Sequence, residues 1–103
     1  DLNGAVYTNN PEIRHYDEEI LENRRVGYVL GVGWAEKRLE GLHATPVKDY
    51  ETLFKMLDQG RVDLVLATEA SANAILKDVG SYKEIVKLQP FIFSAPIYHY
   101  VHK

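Results

Sequence analysis

The chain of 103 residues contains no cysteine, one tryptophan and one methionine. Without thiols there are no disulfides, no cysteine–zinc sites and no thiol catalysis, while both cytoplasm and periplasm accept such a chain. No apolar run approaches the roughly 20 residues needed to span a bilayer. Charge of one sign is also lacking. Twelve Lys and Arg against 15 Asp and Glu give a net charge of −3, interspersed along the chain. There is thus no basic patch for nucleic acid and no acidic solvating arm. A first residue other than Met, with no charged-then-apolar leader in view, leads to the expectation of a processed or excised chain.

Hydrophobic residues make up 46 % of the chain, enough to bury a core in one small domain or one lobe of a larger one. The most informative stretch is Arg25-Val26-Gly27-Tyr28-Val29-Leu30-Gly31-Val32-Gly33-Trp34-Ala35-Glu36. It predicts a buried strand from about Arg25 to Leu30, a glycine turn, and a helix from about Trp34 to Leu39 that stops at Gly41. Such a turn exposes backbone N–H groups at the positive end of a helix dipole, which suits an anionic or polar ligand group. The bland alternative is a plain βα turn with Trp34 packed on a neighbour.

Ahead of this stretch, Ala5 to Thr8 predicts a short strand closed by Asn9-Asn10-Pro11. In the charged segment from Pro11 to Arg24, Ile13, Tyr16 and Ile20 fit a helical stripe, and a solvated connector with one helical turn or two fits equally. Beyond the glycine turn, His43 to Val47 predicts a strand, with Pro46 suggesting an edge position or a strand end. Asp49 is a good N-cap for a helix whose Tyr50, Leu53, Phe54 and Leu57 share one face and which Gly60 ends. Val62 to Ala67 predicts a central strand covered on both sides. A polar turn at Thr68-Glu69 follows, then a helix over Ala70 to Asp78 and a break at Gly80-Ser81. Glu84 to Leu88 and Phe91 to Val101 are strand-like, divided by Pro90 and Pro96.

This alternation predicts an α/β fold, an open three-layer sandwich with a mostly parallel sheet. Ligands in such sheets bind beyond the carboxyl ends of the strands. If the strands before Gly31 and Thr68 are neighbours, their two turns meet at one crevice.

No other motif carries chemistry. Gly-x-Gly without a third glycine is a weak dinucleotide sign, and Asp49 is better used as a cap than as a ribose ligand. His99 and His102 would point to opposite faces of a strand, and His15 and His43 lack partners at ligand spacing. No Ser/His/Asp set or phosphate loop stands out. We therefore expect no enzyme activity, no cofactor and no metal.

The order of these segments resembles the bacterial extracellular solute-binding protein family 3, the type II periplasmic binding proteins of the amino-acid-binding kind. Its carriers are the strand into Gly31 before Ala35-Glu36, then Val47-Lys48-Asp49-Tyr50-Glu51-Thr52-Leu53-Phe54-Lys55-Met56-Leu57, then Gly60-Arg61-Val62-Asp63-Leu64-Val65. The tail, Pro90-Phe91 and then Pro96 to Lys103, is similar to the strand that leads the family's second lobe back to the hinge. The likeness runs from about Glu22 to Lys103.

The resemblance implies a second lobe of a two-lobed, hinged, periplasmic protein. Residues 1–24 would be hinge strand and charged connector, and residues 25–103 the solute-binding lobe. Its ligand-binding residues would be Gly31, Val32, Gly33, Trp34, Thr68 and Glu69. Implied partners are a small amino-acid-like solute, a first lobe of the same protein and the membrane permease of an ABC transporter, with no nucleic acid. The family often places an amine-binding aspartate where this chain has Thr68, so either Glu69 takes that role or Thr68 marks a different solute. The alternatives are a ligand-sensing domain of a membrane signalling protein and the effector-binding lobe of a transcription regulator.

Overall fold

The computed structural model describes residues 2–78 and 84–95. The predicted hinge tail from Pro96 onward, with His99 and His102, and the break at Gly80-Ser81 lie outside the described residues.

Strands β1 (Leu2–Thr8), β2 (Val26–Val29), β3 (Ala44–Val47), β4 (Leu64–Thr68), β5 (Val86–Lys87) and β6 (Phe93–Ala95) form one sheet. The order is β3-β2-β4-β1-β5, with β6 also beside β1. β2 pairs parallel with β3 and β4, while β1 pairs antiparallel with β4, β5 and β6. Among the described strands, β1 alone therefore runs against the rest. The open α/β sheet is as expected.

Helices α3 (Tyr50–Asp58) and α4 (Glu69–Asp78) cover one face, and α1 (Glu18–Asn23) and α2 (Gly33–Arg38) the other. Alternation along β4 feeds both layers. Val65 and Ala67 join Leu53, Phe54 and Leu57 of α3, while Leu64 and Leu66 join Ala35 and Leu39. A central strand buried on both sides needs this unbroken apolar run.

α3 is where local signals agree best with the outcome. The Asp49 carboxylate accepts from the Thr52 N–H at 2.7 Å, and Gly60 closes the helix with φ +77°. Pro46 sits on edge strand β3, where its missing N–H breaks no ladder.

Three expectations change. β1 is seven residues long rather than four and lies inside the sheet between β4 and the β5/β6 pair. The segment 11–24 is helical only from Glu18 to Asn23, yet Ile13, Tyr16 and Leu21 are all buried. The short helix is the turn or two of the connector reading rather than a long stripe, but Ile13, Tyr16 and Leu21 pack in the core instead of being solvated. Its irregular part is tied to the sheet edge, where the Tyr16 N–H donates to the Gln89 carbonyl at 2.8 Å. Finally, Thr68 is the last residue of β4 and Glu69 the first of α4, so strand passes into helix with no intervening turn.

Candidate functional site

Because β2, β3 and β4 are parallel neighbours, their carboxyl ends lie along one rim. The register Val26↔Leu64 and Gly27↔Val65 sets the turn after β2 beside the β4–α4 junction. Gly31, Val32, Gly33 and Trp34 are thus brought to the same rim as Thr68 and Glu69, although 34 or more positions separate them in sequence.

Gly31 has φ +89°, a left-handed conformation that favours glycine. Gly33 has neither reason: its φ is not positive, and an added Cβ would meet nothing within 4 Å. Its bare backbone is open to whatever approaches from outside the lobe. The turn is braced from within, as Val32 N–H donates to the Val29 carbonyl at 3.2 Å and Gly31 N–H to the Glu36 carboxylate at 2.8 Å. α2 opens at Gly33, so the N–H groups of Gly33 and Trp34 lie ahead of that helix's own ladder. Leu30 is 57 % exposed at this point. The Trp34 indole packs with the α1/α2-side core and lines a hollow of about 450 Å³ with Lys37, Arg38 and Ile92.

At the β4–α4 junction the Thr68 hydroxyl donates to the Ser71 Oγ at 2.9 Å, and the Ser71 N–H donates back to Thr68 Oγ1 at 3.4 Å. Tyr50 stands near the same pair, and burial pushes its phenol up, with the Ser71 and Thr68 hydroxyls acting the other way. Sequence reasoning placed Tyr50 on the apolar stripe of α3 and overlooked Ser71. The one available signal was that Tyr50 stands at the first position of a helix whose preceding strand ends at this rim.

Glu69 has a different setting. Its Oε1 accepts from Asn3 Nδ2 at 3.2 Å, and its Oε2 is paired with the Lys87 ammonium. Lys87, then Asn3, hold its carboxyl below the ordinary range. Behind them, burial and then the Glu69 charge push the Tyr7 phenol up to about 12.

A cavity of about 590 Å³ lies by the far end of β1, lined in part by Asn9, Ile13, Arg14, Glu84 and Lys87. It brings together none of the expected site residues. Among the described residues, no group of three or more His, Cys, Asp or Glu is placed to hold a metal ion. No helix there is long and apolar enough to cross a membrane.

No family model matches the chain, and no curated protein does. Solved structures do. An ancestral arginine-binding protein bound to glutamine superposes with TM-score 0.70 at 23 % identity, over 93 % of this chain and 44 % of that one. The substrate binding protein of an amino acid ABC transporter gives 0.68 at 21 %, over 84 % and 38 %. A histidine kinase sensor domain with similarity to periplasmic binding proteins gives 0.73 at 12 %, over 90 % and 41 %. The fold is that of one lobe of a periplasmic binding protein. The chain spans less than half the length of each of these proteins.

Proposed function

We propose that the chain is the second lobe of a periplasmic solute-binding protein that takes up a small polar, amino-acid-like solute without chemistry. The observation that carries this reading is the shared rim: Gly31–Trp34 follow β2, Thr68-Glu69 join β4 to α4, and β2 and β4 are parallel neighbours. A ligand carboxylate would accept from the exposed Gly33 N–H, with Trp34 beside it. Thr68, or Glu69 if it leaves its lysine, would meet the solute's other polar group.

Chain direction is consistent with another lobe across the rim. β1 begins and β6 ends there, paired as Leu2↔Ala95, which supports reading this pair as the place where hinge strands would join the two lobes. Residues 1–24 would then supply the incoming hinge strand, and an ABC permease would take the solute from the closed protein in the periplasm. One observation favours a second reading, a sensor joined to a signalling protein: the superposition on a histidine kinase sensor domain.

The test is a nuclear magnetic resonance titration of the isotope-labelled chain with amino acids at millimolar concentration. The expected outcome is amide shifts gathered at residues 30–34 and 68–71, lost in Gly33→Asp. Shifts confined to the cavity near Asn9 and Glu84, or none at all, would overturn the reading. A membrane span with an output domain encoded beyond Lys103 would decide for the sensor, and adjacent permease genes for transport.

A further inference from the structure

Three carboxylates stand at the helix starts along the rim, and each accepts a hydrogen bond from within the lobe. Glu36 accepts from the Gly31 N–H at 2.8 Å. Asp49 accepts from the Thr52 N–H at 2.7 Å. Glu69 accepts from Asn3 at 3.2 Å and is paired with Lys87. A fourth, Glu51, is exposed on the first turn of α3. The lysine is held from a second side as well, with Nζ 5.0 Å from the centre of the Phe91 ring. Lys87 and Glu69 are 28 % and 30 % exposed, so solvent screens their attraction only in part.

What remains at the junction are hydroxyls: Thr68, Ser71 and Tyr50. Hydroxyls exchange hydrogen bonds with a neutral group at little loss. They carry no charge to offset an ammonium that closure would strip of water, and such a cation needs a counter-charge.

We propose that Lys87 is a specificity-determining residue. It occupies Glu69 as a built-in counter-ion, so the rim takes an uncharged hydrogen-bonding group of the solute, a hydroxyl or a carboxamide, in preference to an ammonium. This rests on the rim being the binding site, as argued above.

L-Lactate and L-alanine share a skeleton and a carboxylate and differ in having a hydroxyl or an ammonium. Each is titrated into the isotope-labelled chain at neutral pH and fixed ionic strength, following the amides of Thr68, Glu69 and Ser71. L-Lactate should half-saturate the shifts at a concentration lower by about tenfold or more. Lys87→Met frees Glu69 and should reverse the order, and Lys87→Met with Glu69→Gln should abolish the gain for L-alanine. Lys87→Gln serves if the methionine variant does not fold. L-Alanine binding as well as L-lactate in the unaltered chain, or an unchanged order in the lysine variants, would overturn the proposal while leaving the rim as a site. If neither compound shifts residues 30–34 or 68–71, the site fails and this inference with it.

Discussion

Gly27 of β2 and Leu53 of α3 stand so close that a Cβ on Gly27 would lie 2.8 Å from Leu53 Cδ1. Leu53 is fully buried, so its side chain has little room to retreat. Gly27→Ala should therefore lose about 1–3 kcal/mol in urea denaturation, as overpacked cores do. Leu53→Val in the same chain should return part of the loss, because contacting residues are not additive. Equal midpoints for Gly27→Ala and the unaltered chain would refute the close contact.

Acid should weaken the fold through Asp63. The Arg25 side chain donates to both carboxylate oxygens, at 3.2 and 3.3 Å, and the Arg25 N–H donates at 3.1 Å. Chiefly through the Arg25 side-chain hydrogen bond, these contacts hold the Asp63 carboxyl below its ordinary value. A folded-state pKa below the unfolded one contributes stability above the unfolded value, and this is lost as pH falls through the folded value. Melting temperature should drop below the ordinary aspartate range, about 3.9. Asp63→Asn should melt lower at neutral pH and converge with the unaltered chain in acid. Asp49 and Glu69 are shifted in the same direction, so the acid slope should shrink in that variant without vanishing.

Tyr7→Phe should do no harm. The Tyr7 ring meets Phe54 edge-on at 5.7 Å, but among the described residues its buried hydroxyl has no hydrogen-bond partner. Removing an unsatisfied buried hydroxyl while keeping the ring should leave stability unchanged or raise it by up to about 1 kcal/mol. Phe54→Ala, which empties the other side of the pair, should lose about 3–5 kcal/mol. A destabilised Tyr7→Phe in calorimetry would mean that the hydroxyl is satisfied after all.

The Asp49 cap admits a direct check. Asp49→Ala should lower the melting temperature and the helical signal in circular dichroism, and Asp49→Ser should restore most of both, since a hydroxyl also accepts from the first-turn N–H groups. An alanine variant that melts with the unaltered chain would show the cap to be idle.

Much of the fold was legible where one signal lies close to its effect. α3 shows its cap, apolar face and closing glycine within 12 residues, and β4 shows its buried position in an unbroken apolar run. Less was legible where burial depends on a distant partner. Only Ala5 to Thr8 of β1 reads as a strand, because Leu2 to Gly4 become strand through pairing with β4 and β6. Ile13 and Tyr16 are buried without periodicity, held by the sheet edge rather than by a helix of their own.

The candidate site divides in the same way. The amino-acid sequence by itself determined the glycine turn after β2, the capped start of α3 and the alternation of strand and helix, since these depend on conformational preferences within a few residues. Only the tertiary structure decided that β2 and β4 are neighbours, because backbone pairing between strands carries no residue code that can be read along the chain. It also decided the electrostatics of the rim. Glu69 reads as a free carboxylate in sequence, yet Asn3, 66 positions earlier, and Lys87, 18 positions later, converge on it. The charge of a side chain is written in its chemistry, but its availability depends on what the fold sets beside it.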